Sequence, residues 1–184
     1  MTEQAEPNRL AAILFDRNEV PDPPLIAFLE AAKRRGVRVA GLVQERTGNG
    51  LCAWQNVQVR DLASGAAMPI MRDLGPGAEG CRVDPEAIAF AGLLLERALA
   101  TRPDLLVVNR FGRVECEGGG MLAEIGRAFA EGVATIVCVP KRYRDAWSAF
   151  SGGLDVQLRP EVAAIEAWWE AIETASSERA VARA

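Results

Sequence analysis

The sequence predicts an α/β protein in which a mostly parallel sheet is flanked by helices. Short apolar runs such as LAAILF (10–15) and DLLVVN (104–109) are typical of strands that are buried on both faces. Amphipathic stretches such as PLIAFLEAAKRRG separate these runs, and a helix is the usual connection between parallel strands. The short link GNG between two β-prone stretches adds one expected antiparallel hairpin.

Local signals predict each element in chain order. The strand at 10–15 and the turn DRNEVPDPP precede a helix with proline near its start and Gly36 at its end. A second strand covers 37–43, and we expect residues 42–72 to form an antiparallel excursion at the sheet edge. A glycine-rich loop and a helix follow, with Asp84 as N-cap and Pro103 after its end. The remaining elements are a strand at 104–109, its exit loop RFGRVECEGGG, the helix MLAEIGRAFAEG, the strand VATIVCVP, the helix KRYRDAWSAFSGG, the strand LDVQL and a terminal helix.

Length and composition indicate a single globular domain. We expect residues 10–175 to form it, with flexible ends at 1–9 and 176–184. A net charge of −4 provides no basic field for nonspecific nucleic-acid binding. No apolar run is long enough to span a bilayer, and the first residues lack the order of a secretory signal. A cytoplasmic location is therefore expected.

The chain has four cysteines and no histidine. Cys52, Cys81, Cys116 and Cys138 are widely spaced, so we expect reduced thiols and neither a metal nor a cofactor. The absence of histidine excludes Ser-His and Cys-His catalysis. Cys138 lies in an apolar strand and is expected to behave as a small buried hydrophobe.

The carboxyl ends of the parallel strands are the expected place for a ligand. Three segments should meet there: the turn at 16–24, the loop after Asn109, and the segment PKRYR after Val139. These segments hold the candidate binding residues.

Several stretches resemble known families. VAGLVQERTGNGLCAWQNVQVRDLASG and NRFGRVE resemble the hairpin and the later acidic motif of small P-loop nucleoside triphosphatases, with Gly112, Arg113 and Glu115 in matching places. LASG, GPGAEGCRVDP, DLLVVNRFGRVECEGGG and FSGG more closely resemble a bacterial family known only as a domain of unknown function, often encoded near molybdate-transport genes. This second resemblance covers residues 10–158. It implies a degenerate P-loop fold and a role in molybdenum handling, with no known reaction.

The departures from the triphosphatase pattern disfavour hydrolysis by the usual route. The segment FDRNEVPDPPL stands where G-x-x-x-x-G-K-[ST] is required, and it has no glycine, lysine, serine or threonine. Asn109 and Arg110 replace the acidic pair that would hold Mg²⁺. An amide cannot supply a carboxylate, and a guanidinium repels a metal ion.

The same changes favour binding of an anion without a metal. Arg110, Arg113 and Arg17 provide guanidinium groups that suit tetrahedral oxyanions. The glycines after them are expected at a helix start, where free N–H groups attract anions. The predicted ligand-binding residues are Arg17, Asn109, Arg110, Arg113, Gly118, Gly119 and Gly120, with a second loop that contains Gly75, Gly77 and Gly80. We therefore predict a non-hydrolytic accessory or regulatory protein that binds a small oxyanion or a nucleotide phosphate.

Other interpretations remain open at this point. One is a divergent nucleoside triphosphatase or phosphate-group transferase with Glu115 or Glu117 as base. Another is that the glycine-rich loops are ordinary turns and that the arginines pair with nearby acids at the surface. Trp168 and Trp169 are expected to form a packing face or a homodimer face rather than a ligand stack. A purely structural or partner-binding module would use this tryptophan helix.

Overall fold

The computed structural model describes residues 6–46, 57–73 and 82–182. The strands in these ranges form one seven-stranded sheet in the order β4-β3-β2-β5-β6-β1-β7. All neighbouring pairs from β2 to β7 in this order are parallel, whereas β3 pairs antiparallel with both β2 and β4. The predicted mostly parallel sheet is confirmed. The strands are β1 (Leu10–Phe15), β2 (Val39–Arg46), β3 (Val57–Asp61), β4 (Ala67–Pro69), β5 (Leu105–Val108), β6 (Ala134–Pro140) and β7 (Asp155–Leu158).

Helices connect the parallel strands. The start of α2 follows the expected pattern, because Pro85 is its first residue and the side chain of Asp84 accepts a 3.0 Å hydrogen bond from the N–H of Glu86. The stretch RFGRVECEGGG was expected to be entirely a loop, which is wrong, since it contains one helical turn. The helices are α1 (Asp22–Arg34), α2 (Pro85–Ala100), α3 (Arg113–Cys116), α4 (Leu122–Ala130), α5 (Arg144–Ser151), which follows a 3₁₀ turn at Lys141–Tyr143, and α6 (Val162–Ala182).

The sheet is covered on both faces. Ala11 and Ile13 of β1 pack in one core with α1 and α6, whereas Leu10 and Ala12 pack in the other with α2, α4 and α5. Successive side chains of a strand point to opposite faces. Nearly all residues of such a strand are therefore apolar, which explains the long hydrophobic runs.

The antiparallel excursion lies at one edge of the sheet, as predicted. Leu42 of β2 is opposite Asp61 of β3, and β4 forms the edge. The GNG link lies outside the described residues. A tight turn follows β3, in which the carboxylate of Asp61 accepts hydrogen bonds from the N–H of Ala63, and from the N–H and hydroxyl of Ser64, at 3.1, 3.1 and 2.6 Å. This turn is the LASG stretch.

The tryptophans of α6 belong to the core. Trp168 and Trp169 are 6% and 4% exposed. Trp169 packs edge-on against Phe28 of α1, with ring centroids 6.5 Å apart, and Trp168 Nε1 donates a 3.0 Å hydrogen bond to the carbonyl of Asn8. The packing interpretation is confirmed for both side chains, and neither ring is exposed as a face for a second copy.

The start of β1 and the second half of α6 lie side by side. Arg9 Nη2 donates a 3.1 Å hydrogen bond to Ser176 Oγ, and Arg179 forms an ion pair with Glu6. Both ends of the described fold are therefore at the amino end of the sheet.

Two further expectations can be compared with the described residues. Cys138 is 1% exposed, as expected of a small core residue, whereas Cys52 and Cys81 lie outside those residues. In the part of the chain that the structure describes, no helix has the length and hydropathy needed to cross a bilayer.

Candidate functional site

A polar cavity of about 770 Å³ opens at the carboxyl ends of β1, β5 and β6. Its wall combines the turn after β1, the first turn of α1, Arg110 after β5, and Pro140, Lys141 and Arg142 around the end of β6. The three segments predicted to meet at this end of the sheet do meet. The sheet order explains this, because β6 lies between β5 and β1.

An acidic residue that sequence reasoning missed is at the centre of the site. Asp22, the first residue of α1, accepts a 2.7 Å hydrogen bond from Asn109 Nδ2 on Oδ1. Arg110 Nη2 lies 3.3 Å from Asp22 Oδ1 and 3.2 Å from Oδ2. A signal for Asp22 was present in the sequence, because an acid in the first turn of a helix is favoured by the helix dipole.

The guanidinium of Arg110 is held on several sides. It lies over the ring of Phe15, 4.8 Å from the centroid, and its Nε donates to Asn109 Oδ1 at 3.4 Å. Only 17% of its side chain is exposed. Nε and Nη2 make these hydrogen bonds, and Nη1 makes none to any residue that the structure describes. The group is therefore fixed in orientation and still has donors for a ligand.

Other charged side chains surround the same cavity. Lys141 Nζ is 2.6 Å from Asp16 Oδ2 and 3.9 Å from Glu19 Oε2, and the hydrogen bond to Asp16 raises the pKa of Lys141. Arg142 lies over the ring of Tyr143 at 4.7 Å. Arg17 and Arg142 make no ion pair with any described residue, so two of the cations in the wall lack a countercharge there.

The start of α1 offers few backbone donors to an anion. Pro21, Pro23 and Pro24 have no N–H, and the N–H of Leu25 already donates to the carbonyl of Pro21 at 3.2 Å. A phosphate at a helix N-terminus is normally held by such N–H groups. Donors for an anion in this cavity must therefore come mainly from side chains.

The predicted glycine cradle lies away from this cavity. The N–H groups of Gly118 and Gly119 donate to carbonyls of α3 at 3.1 and 3.0 Å. Glu115 is 5% exposed, and its carboxylate accepts hydrogen bonds from the N–H of Gly112 at 2.8 Å and of Met121 at 3.2 Å. The loop and Glu115 thus hold each other in place, and none of Gly118, Gly119 and Gly120 lines the polar cavity.

The other predicted residues have different surroundings. Arg113 Nε is 2.7 Å from Glu117 Oε1 at the surface, with 64% of the Arg113 side chain exposed. Arg113 lines a second cavity, not the polar one. Gly75, Gly77 and Gly80 lie outside the described residues.

The second cavity has a volume of about 490 Å³ and a largely apolar lining. It lies between the β3–β4 hairpin, α2 and the segment from β5 to α3. Arg110, Pro140 and Arg142 line both cavities, so the two are adjacent. Sequence reasoning did not find this cavity, because its walls come from elements that are far apart in the chain.

The fold is that of the small P-loop nucleoside triphosphatases. A human cancer-related nucleoside triphosphatase aligns with 72% of this chain and 75% of its own, at 19% identity and a TM-score of 0.53. THEP1 from the hyperthermophile Aquifex aeolicus aligns with 82% of this chain and 90% of its own, at 14% identity and a TM-score of 0.54. At these identities the likeness concerns the fold.

The chain belongs to the family described as "Protein of unknown function (DUF2478)", whose model matches residues 10–168. The resemblance to a domain of unknown function is therefore confirmed. The chain is also 35% identical over 166 residues to the molybdenum import ATP-binding protein ModC 2 of Bradyrhizobium diazoefficiens. This match covers 90% of the chain and spans only 18% of that relative's length.

Proposed function

We propose that this protein binds the phosphate groups of a nucleotide in the polar cavity and does not hydrolyse them. One observation carries the proposal: Arg110 is fixed by Asp22 and Phe15 at the carboxyl ends of the strands, with Nη1 uncommitted among the described residues. The triphosphatase fold and the ATP-binding name of the 35% identical relative support the choice of a nucleotide.

The charges around Arg110 support an anionic ligand. Arg17 and Arg142 lie in the same wall, and guanidinium groups form paired hydrogen bonds with phosphate oxygens. Because the side chain of Arg110 is mostly buried, its attraction for an anion is less screened by water than that of a surface arginine. Its fixed orientation lowers the entropy lost on binding.

The side chains at the end of β5 support binding without hydrolysis. Asn109 is 1% exposed and uses its amide N–H₂ on Asp22. Asp22, the acid that contacts this pair among the described residues, is thus already engaged by Asn109 and Arg110. Glu115, the base in the alternative enzymatic interpretation, is bonded to two backbone N–H groups and does not line the polar cavity.

A free tetrahedral oxyanion is the second ligand of this proposal. The same arginines suit molybdate as well as phosphate, because both are compact oxyanions. The name of the ModC 2 relative connects that protein with molybdenum import, which supports an accessory or regulatory role in molybdate handling. Comparing the affinities for nucleotides and for molybdate shows which of the two the protein binds.

Calorimetric titration tests the proposal. The panel is ATP, GTP, AMP, tripolyphosphate, phosphate, molybdate and sulfate. Arg17→Ala and Arg142→Ala are expected to weaken binding of the preferred anion about tenfold each, the size of one charge-assisted hydrogen bond. The matched control is Arg97→Ala, since Arg97 is exposed on α2 and lines neither cavity. Absence of binding across the panel in a folded sample would contradict the proposal.

A phosphate-release assay with Mg²⁺ tests the absence of hydrolysis. We expect no release above the protein-free blank for any nucleoside triphosphate. Turnover that Glu115→Gln abolishes, in a variant that remains folded, would instead support the enzymatic alternative.

A further inference from the structure

The apolar cavity has the size and lining of a small-molecule site. Its volume of about 490 Å³ lies within the ~300–1,000 Å³ typical of ligand pockets. Val59 and Ile70 line it from the hairpin side, Ile88 from α2, and Phe111 and Met121 from the segment after β5. Such walls suit a planar or apolar group rather than a bare ion.

Gln44 is a polar side chain of this cavity that has no hydrogen-bond partner among the described residues. Gln44 of β2 lies opposite Val59 of β3, so both side chains point to the same face of the sheet. Gln44 is 7% exposed and lines the cavity. Its side-chain amide makes no hydrogen bond to the residues that the structure describes. A carboxamide nitrogen donates hydrogen bonds and its oxygen accepts them, so this amide offers a donor and an acceptor to a ligand in the cavity.

The apolar cavity is continuous with the proposed phosphate site. Arg110, Pro140 and Arg142 belong to the walls of both cavities. A molecule with a planar body and a negatively charged group can therefore place its body near Gln44 and its charge near the two arginines. A nucleotide combines these two parts.

We propose that the apolar cavity binds the adenine base of a nucleotide and that Gln44 recognises it. This inference rests on the proposed nucleotide-binding function and extends it by naming the base. A carboxamide presents a donor and an acceptor side by side, which matches the N6 amino group and a ring nitrogen of adenine. The corresponding edge of guanine presents two acceptors, which suit arginine instead.

Nuclear magnetic resonance tests the contact directly. Adenosine and ATP are expected to shift the side-chain N–H₂ signal of Gln44 in the ¹⁵N spectrum, and tripolyphosphate is expected to leave it in place. Gln44→Leu is expected to weaken ATP binding at least about tenfold and to leave tripolyphosphate binding unchanged. Gln58→Leu is the matched control, because Gln58 lies on the other face of β3 and bonds to Glu45 at 3.4 Å.

The failures of the two proposals are distinguishable. If ATP binds no tighter than tripolyphosphate and its affinity is unchanged in Gln44→Leu, the base is not in this cavity, and the phosphate site stands. If adenosine shifts the Gln44 signal and tripolyphosphate does not bind, the phosphate site fails and the base site stands. If neither adenosine nor ATP moves that signal, the base site is overturned. The wild-type spectrum decides this even if Gln44→Leu unfolds.

Discussion

The side-chain amide of Asn109 donates a 2.7 Å hydrogen bond to the carboxylate of Asp22, which joins the end of β5 to the start of α1. The same carboxylate is paired with Arg110 at 3.2 Å. The negative charge nearest to Arg110 among the described residues is therefore supplied by the chain itself.

Asp22→Asn is expected to lower the free energy of unfolding by about 1–3 kcal/mol, because it leaves a mostly buried guanidinium without its countercharge. It is also expected to raise the affinity for phosphate, since it removes a competing negative charge from Arg110. Urea denaturation and calorimetric titration measure the two effects. Glu30→Gln, an exposed change on the same helix, should alter neither. A fall in phosphate affinity in Asp22→Asn would contradict the proposed competition.

The three glycines after α3 are expected to tolerate alanine to different degrees. A Cβ on Gly120 would lie 2.0 Å from Glu115 Oε1, and the φ of this residue is +63°. Gly118 has a φ of +85° and open space, whereas a Cβ on Gly119 meets Val114 at an ordinary 3.5 Å. A positive φ costs a residue with a side chain about 1–2 kcal/mol. Thermal unfolding should therefore rank Gly120→Ala as the most damaging change, then Gly118→Ala, then Gly119→Ala; any other order contradicts the prediction.

Asp155 is expected to be essential for the packing of α5. Its carboxylate accepts hydrogen bonds from Trp147 Nε1 at 2.9 Å and from the hydroxyl of Ser151 at 2.6 Å. Trp147 is fully buried, so Asp155→Ala should cost about 2–4 kcal/mol by leaving two donors without an acceptor. The cost should be smaller in a Trp147→Phe background. Equal costs in the two backgrounds, measured by denaturant unfolding, would show that the indole bond contributes nothing.

Acid should destabilise the protein partly through Asp61. Burial alone would raise the pKa of Asp61, but hydrogen bonds from Ser64 and Ala63 and the charge of Lys33 outweigh it and hold the pKa below its ordinary value. The ionised Asp61 carboxylate therefore stabilises the folded protein fully above about pH 3.9, its pKa in the unfolded chain. This contribution is lost as the pH falls through the lower pKa that Asp61 has in the folded protein. Urea midpoints between pH 6 and pH 2.5 should fall less steeply for Asp61→Asn than for the wild type. Parallel curves would contradict this assignment.

Cys138 is expected to resist alkylation in the folded protein. Burial raises the pKa of the Cys138 thiol well above its ordinary value, the Asp22 carboxylate raises it further, and Arg110 partly opposes them. The thiolate is the reactive form. Mass spectrometry after iodoacetamide treatment at pH 8 should find Cys138 unmodified in native buffer and modified in urea. Rapid modification in native buffer would show that β6 opens readily.

The sequence predicted most of the fold because its signals are local. The run LAAILF became β1 with the expected bounds, and Asp84 and Pro85 mark the start of α2 as anticipated. The short helix α3 escaped prediction because it is one turn long. Its start is capped by Glu115, whose carboxylate accepts hydrogen bonds from the N–H of Gly112 and from the N–H of Met121, the residue before α4.

The site was less predictable because its contacts join distant segments. The expectation that a ligand binds at the carboxyl ends of parallel strands correctly predicted that Arg110 and the turn after β1 lie together. The alternative interpretation paired Arg110 with nearby acids at the surface, whereas its partner is Asp22, 88 residues away. Gln44 was not predicted as a site residue, because its position opposite Val59 depends on the register of β2 and β3. The strand register and the Arg110–Asp22 ion pair both join residues that are far apart in the sequence, so they depend on how the whole chain packs.

The two ends of the described fold lie together, where Trp168 meets Asn8 and Arg9 meets Ser176. The residues that precede β1 and the second half of α6 therefore lie on the side of the domain opposite the polar cavity. A tether joined to the fold on that side would begin away from the polar cavity.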